Sequence, residues 1–365
     1  MAEFDSIEAL AKEIKTKLDS SSTKKKVLAL YAFNATGKTR LTNMLSESGA
    51  EEETENDSIK VLCYNAFLED MFTWDNENYV LSFNQNSWII KLVIDQGLEK
   101  QIIDNFKEVI NSNIEPLFDF EKGEVTFTIA SGDEKSEINI KVSKSEESML
   151  IWSIYYSILE VAIEALNTNK EDRTTPVFND LQYIIIDDPV SSIDDTKIIA
   201  MAIKLIEVIK LSQNKAIRFF ITTHHALFFN VLVNSFKRDG DHNFKSYTLS
   251  LGKDLMLKLT EQGDSPFSYH LSVKEVIQKA ITNDEIEKYH FNLFRNLLEK
   301  TSNFLGYNNW ADCITGERKQ EFIRLLNVYS HSRLSDLEAR ELSGEDKNML
   351  QEAFATFITN FRWNS

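Results

Sequence analysis

Residues 27 to 47, VLALYAFNATGKTRLTNMLSE, leave few folds open. The opening VLALYAF is apolar at every position, as a strand covered on both faces of a parallel sheet must be. After a short polar turn, Leu41, Met44 and Leu45 recur at helical spacing. Strand, turn and helix in that order predict an α/β layer with helices packed on a parallel sheet. Ala32 to Thr39 follow the pattern GxxxxGK(S/T), in which backbone N–H groups close around phosphate oxygens. Asn34, Ala35, Thr36, Gly37, Lys38, Thr39 and Arg40 are therefore candidate nucleotide-binding residues, with Lys38 directed at the phosphates and Thr39 a ligand of Mg²⁺. Ala32 and Ala35 stand where glycine is usual, and the position of Ala35 is the one that more often needs glycine's backbone freedom.

Two further apolar strands carry polar residues at their C-terminal ends, the end at which open α/β sheets bind ligands. LQYIIIDDPVSSIDD places Asp187 and Asp188 there, the first suited to hold Mg²⁺ through water and the second to polarise an attacking water. IRFFITTHH brings His224 to the end of its strand, where it can sense a terminal phosphate. Upstream, VSKSEES precedes a long apolar helix and supplies Ser143, Ser145 and Glu146. In this order the segments resemble those of ABC-type ATPases. SSIDD resembles their D-loop and SKSEES their signature LSxGE, with Ser145 where glycine is expected. The resemblance implies ATP or GTP with Mg²⁺. It also implies a homodimer or higher homo-oligomer, since in that family the signature of one protomer completes the phosphate site of another.

At 365 residues the chain is long enough for two domains. Strand–helix alternation gives way to helical periodicity after residue 255, which predicts an ABC-type α/β domain over 1–255 and an all-α domain over 256–365. Cys63 and Cys313 lie far apart and suit a reducing compartment. The N-terminal MAEFDSIEALAKEIKTKL carries acids among its apolar residues, unlike a signal peptide. The most apolar stretch, MLIWSIYYSILEVAIEALN, is interrupted by Glu160 and Glu164 and reads as a buried helix, not a membrane span. A cytoplasmic protein with no membrane partner is expected. A net charge of −17 argues against coating nucleic acid by bulk electrostatics. From Asp264 onward twelve Lys/Arg meet fifteen Asp/Glu, a net of only −3, so nucleic-acid contact is expected in that part and locally.

There, the helix IEKYHFNLFRNLLEK sets Arg295 and Glu299 four residues apart on one face. The next, RLLNVYSH, carries Arg324, Asn327 and His331 on a single stripe. Each set alone is commonly structural; an exposed ion pair contributes only ~0.3–0.5 kcal/mol. Together they offer what metal-independent RNA cleavage needs: a base for the 2′-OH proton, an acid for the leaving 5′-oxygen and a cation for the phosphorane. Arg295, Glu299 and His331 are the candidate catalytic triad, with Arg324 and Asn327 second to them. Either Glu299 or His331 could be the base. The R-x₆-H spacing in an all-helical domain resembles the HEPN ribonucleases, in which two such domains pair to form one active site.

A wider resemblance spans about residues 25 to 335. YAFNATGKTRL, SKSEES, IDDPVSSID, ITTH, FSYHL and YHF-L-RN-EKT-FLGY, with SHS after them, are similar to the PrrC-type anticodon nucleases. That family's triad of an Arg, a Glu four residues on and a His some 36 residues after the Arg matches Arg295, Glu299 and His331. The resemblance implies a tRNA substrate cut in the anticodon loop, usually lysine tRNA, leaving 2′,3′-cyclic phosphate and 5′-OH ends. It further implies latency imposed by a type I restriction-modification enzyme and release during phage infection. Gly263-Asp264-Ser265, before FSYHL, is the segment expected to contact the anticodon through Asp264; an ordinary turn is the alternative. Two other functions fit the same motifs: a regulatory or DNA-repair ATPase whose helical domain only binds partners, and a catalytically silent sensor. SMC-like repair ATPases insert a long coiled coil between phosphate loop and signature, whereas about 100 residues without sustained heptads intervene here.

Overall fold

The apolar runs of the sequence form the parallel strands of one sheet. The computed structural model describes residues 2–361 apart from 21–23, 51–57, 66, 67, 69, 111, 112, 130–136, 191, 192, 194, 240–242, 253–255, 263–267 and 332–341. It divides into two compact units, Met1–Pro266 and Phe267–Ser365.

In the first unit, strands β1 (Ala2–Phe4), β2 (Lys26–Ala32), β3 (Val61–Tyr64), β9 (Tyr183–Asp187), β10 (Arg218–Thr223), β11 (Asn243–Leu251) and β12 (Leu257–Glu261) make a seven-stranded sheet in the order β1-β12-β11-β2-β10-β9-β3. The run from β11 to β3 is parallel, and β12 and β1 close the edge antiparallel. Side chains alternate between its faces, as the pleat requires. Leu28, Leu30, Ala32, Ile185 and Phe220 pack with helix α1 (Ile7–Asp19) and with Leu41 and Leu45 of α2 (Lys38–Ala50). Val27, Ile184, Ile186, Phe219 and Ile221 face the other way, into the core shared with α5 (Lys144–Asn167), α6 (Asp195–Leu211) and α7 (Ala226–Asp239).

Between β3 and α5 the chain builds a second, antiparallel sheet from β4 (Phe72–Asp75), β5 (Val80–Phe83), β6 (Ile114–Asp119), β7 (Glu124–Ile129) and the two-residue β8 (Glu137–Ile138), with α3 (Trp88–Asp95) and α4 (Glu99–Ile110) inserted. The alternation in INIKVS predicts a longer strand, but only Ile138 of it is paired and α5 begins at Lys144. Helix α5 is long and apolar enough to cross a membrane, and 83% of its most apolar window is buried inside the protein. Trp152 and Tyr155 are enclosed against Tyr64, with ring centroids 5.1 and 5.3 Å away, so its hydropathy reflects packing on all sides.

The division expected at 255/256 lies instead at 266/267. LKLTE, after a polar break, is too short to reveal its period; its antiparallel pairing with Tyr247 to Leu251 makes it a strand of the first unit.

The second unit is helical: α8 (Ser268–Thr282), α9 (Lys288–Leu305), α10 (Lys319–His331) and α11 (Gly344–Asn360), with a short 3₁₀ turn at Trp310–Cys313. Its centre is aromatic. The Phe294 ring lies 5.4 to 5.6 Å from Phe322, Phe354 and Phe357, and Phe291 meets Tyr329 at 4.7 Å. Gly306, at φ 73°, ends α9, and the Tyr307 N–H returns to the Ser302 carbonyl at 2.9 Å.

Candidate functional site

The parallel register brings the C-terminal ends of β9, β10 and β2 side by side, since Thr222 pairs with Asp187 and Thr223 with Tyr31. Ala32 ends β2 in extended backbone, so its methyl group is accommodated. Ala35 and Gly37 then take positive φ, 64° and 93°, which turns the chain before α2. A Cβ at residue 37 would come within 2.7 Å of Ile7 Cδ1, a side-chain end that can move aside, so it is the φ of 93° that calls for glycine there. The methyl of Ala35 costs about 1 kcal/mol in that conformation. Ala35→Gly is expected to raise the unfolding temperature of the first unit by about 2 °C, measured by calorimetry; a lower unfolding temperature would mean the left-handed turn carries no strain.

Lys38, the first residue of α2, is only 6% exposed. Its Nζ donates to the carbonyls of Ala32 at 3.0 Å and Phe33 at 3.2 Å, and lies 3.7 Å from Asp188 Oδ2. Burial lowers its pKa, and Asp188 and Asp187 oppose that shift. The Thr36 hydroxyl donates to the Phe33 carbonyl at 2.7 Å, holding the turn. Thr39 is exposed in the first turn of α2, and Arg40 reaches outward to Glu8 at 2.6 Å. Asp187 is buried, with Oδ1 accepting from the Thr222 hydroxyl.

Asp188 has φ 52°, an unusual backbone for aspartate outside glycine-like turns. Its Oδ2 is 2.5 Å from His224 Nδ1, and its Oδ1 accepts from the His224 N–H at 3.1 Å. Burial disfavours the Asp188 anion, but hydrogen bonding and charge from His224, with Lys38 behind, outweigh it and hold the carboxyl below the usual aspartate range. A depressed carboxyl stabilises the fold above the ordinary aspartate pKa of about 4, and that contribution is lost as pH falls through the depressed value. His224→Ala leaves the partly buried Asp188 carboxylate without its main partner. It is expected to cost about 2 kcal/mol at neutral pH and to move acid unfolding to higher pH. Circular dichroism against pH checks this, and an unchanged acid midpoint would contradict it.

Ser143 caps α5. Its Oγ accepts from the Glu146 N–H at 3.3 Å, while Glu146 Oε2 accepts from the Ser143 N–H at 2.7 Å. Ser145 lies in the first helical turn with negative φ, so nothing in the backbone there demands glycine, and its buried hydroxyl finds no partner among the described residues.

In the second unit, α9 and α10 lie against each other and join their polar stripes. Arg295 Nε donates to Glu299 Oε1 at 2.8 Å, and Nη1 donates to Asn327 Oδ1 at 2.6 Å. Arg295 is 14% exposed, whereas Glu299 is 42% exposed and open to solvent. The Arg295 guanidinium also lies 4.5 Å above the ring of Trp310, a contact that no spacing rule reveals because Trp310 sits in an irregular turn. Arg324 is exposed on the same helix as Asn327. His331 is the last residue of α10, one turn or about 6 Å along the axis beyond Asn327; its side chain and Asp264 lie outside the described residues. The hydroxyls of Thr222 and Thr223, which serve Asp187 and Asp188, are visible in FITTHH but carry no motif that marks them.

Residues 118–359 match a family described as an AAA domain, which identifies an ATPase-type chain. Among solved structures, the chain is similar to the SMC head domain from Thermotoga maritima, at 10% identity and TM-score 0.33 over 66% of this chain and 91% of that one. It is also similar to an Smc head bound to the C-winged helix domain of ScpA, at 11% identity and TM-score 0.30 over 48% of this chain and 45% of that one. A protein of Escherichia coli named anticodon nuclease is 37% identical over 359 residues, covering 92% of this chain and 89% of that protein. With that identity across nearly the full length of both, the chain belongs to the anticodon nuclease family.

Proposed function

We propose that the chain is a nucleotide-regulated endoribonuclease that cuts the anticodon loop of a tRNA, foremost a lysine tRNA. The observation that carries this reading is the joining of Arg295, Glu299 and Asn327 across α9 and α10, one turn from His331, in a relative of an anticodon nuclease. Arg295 is held with its charge available to offset the phosphorane. Glu299 and His331 divide the proton transfers, one taking the 2′-OH proton and the other giving one to the leaving 5′-oxygen. Because the 2′-oxygen attacks its own phosphate, the products are a 2′,3′-cyclic phosphate and a 5′-OH, and the reaction requires no metal. The helical unit that carries these residues is read as a HEPN-like domain.

The strand ends of the first unit hold the regulator. Positive φ at Ala35 and Gly37 shapes a phosphate cradle, Lys38 lies within reach of it, and the buried carboxylate of Asp187 and exposed Thr39 suit Mg²⁺, so these residues fit a Mg²⁺–ATP or Mg²⁺–GTP complex. Mg²⁺ there neutralises phosphate charge. Asp188 and His224 sit where a terminal phosphate and its attacking water would lie. Ser143, Ser145 and Glu146 face the nucleotide of a second copy in a homodimer or larger assembly. Arg324 contributes to the same surface as Asn327, and Asp264 contacts the anticodon. Blocking translation by removing a tRNA serves antiphage defence, with a type I restriction-modification enzyme holding the chain latent until infection.

Sequencing of total tRNA after incubation with the chain and ATP or GTP tests this. One cut, in the anticodon loop of one isoacceptor and bearing a cyclic phosphate, is the expected result. Intact tRNA with neither cutting nor binding would favour a helical unit that only recruits partner proteins.

A further inference from the structure

Arg295 is the cation of the proposed triad, and a guanidinium acts on a phosphorane only if its plane is fixed. Two of its edges are fixed by Glu299 at 2.8 Å and Asn327 at 2.6 Å. Hydrogen bonds along two edges hold the guanidinium within its plane and oppose tilt out of that plane less directly. We infer that Trp310 is a positioning residue for the nuclease, an indole plate that sets the plane of the Arg295 guanidinium from 4.5 Å below it.

The plate is itself anchored. Asn309 caps the 3₁₀ turn, its Oδ1 accepting from the Ala311 N–H at 3.0 Å. Cys313, fully buried at the end of that turn, donates to the Leu298 carbonyl of α9 at 3.7 Å, and Ile314 is buried beside it in the aromatic core. The turn is thereby tied to the helix that carries both Arg295 and Glu299. Trp310 packs on the same core, so indole, guanidinium and carboxylate move as one body. Neither Lys at 295 nor an aliphatic residue at 310 reproduces this arrangement, because Lys has no planar fork and an aliphatic side chain has no π face for the cation to lie over.

The inference rests on the ribonuclease reading, and its test separates the two. Wild type, Trp310→Phe and Trp310→Ala are compared as full chains in cleavage of tRNA, in thermal unfolding and in the resonance of the Arg295 Nε–H, assigned by its loss in Arg295→Lys. Trp310→Ala is expected to lower kcat by about 10- to 100-fold through misplacement of the cation, with KM within about threefold of wild type. Trp310→Phe, which keeps a ring, is expected to recover most of that rate, and the Arg295 signal moves out of the ring current only in Trp310→Ala. Wild-type kcat in Trp310→Ala overturns the inference. So does equal damage in both variants alongside equal loss of thermal stability, which would make Trp310 a packing residue alone. If the wild-type chain neither cuts nor binds tRNA, the ribonuclease reading falls; whether or not it cuts, an Arg295 resonance unmoved by Trp310→Ala overturns the positioning role, and a moved one supports it.

Discussion

Replacing Arg295 or His331 with alanine is expected to lower tRNA cleavage by about 10³-fold while leaving nucleotide affinity within about twofold. The size follows from the two roles. Loss of one oriented donor to a developing oxyanion costs about 10²–10³ in rate, and loss of a general acid or base about 10²–10⁴. The two losses are not additive, since a misplaced cation makes proton transfer less useful, so the double variant is expected to lie close to the worse single one. Arg295 belongs to the helical unit, where its guanidinium is held by Glu299, Asn327 and Trp310 and is not enclosed among Phe291, Phe294, Phe322 and Phe357, so the fold is expected to survive its loss. Single-turnover cleavage and nucleotide titration on the same samples check the separation. A variant that cuts at the wild-type rate would remove that residue from the chemistry.

Lys38→Ala is the converse case. Lys38 directly follows the turn formed by Ala35 and Gly37, and its Nζ donates to the Ala32 and Phe33 carbonyls that lead into it. A phosphate group would compete for the same protons with a full negative charge, and charged hydrogen bonds are about twice as strong as neutral ones. Removing the ammonium is expected to weaken ATP or GTP binding about 100-fold, equivalent to about 2.7 kcal/mol. The triad is untouched by this change, so any residual cleavage should lose its dependence on added nucleotide. Fluorescent-nucleotide titration measures the first effect and cleavage with and without nucleotide the second. Unchanged affinity would mean that the turn is not the nucleotide site.

The parallel core was legible because its strands are apolar throughout, and YIIID, RFFITT and VLALYA each end at a turn that announces itself. The antiparallel sheet of β4 to β8 was less so. EVTFTI alternates cleanly, but FTWD and VLSF span four residues each, too few to fix a period. The strain at Ala35 could be anticipated because the pattern wants glycine there, and the structure gives it φ 64°. The signature segment is different: Ser143 and Glu146 satisfy each other as a helix cap, a reading that the sequence S-x-x-E offers equally well. In the helical unit, spacing put Arg295 beside Glu299 and set Asn327 one turn from His331. Only tertiary packing of α9 on α10 joins Arg295 to Asn327, and only the turn after α9 supplies Trp310.

The most direct test is cleavage of end-labelled total tRNA by the purified full chain in EDTA, wild type against His331→Ala. The account predicts a single cut in one anticodon loop, ending in a cyclic phosphate, present in the wild type and lost in the variant. A cut that persists in His331→Ala, or one that appears only when Mg²⁺ is restored and maps outside an anticodon loop, would contradict it.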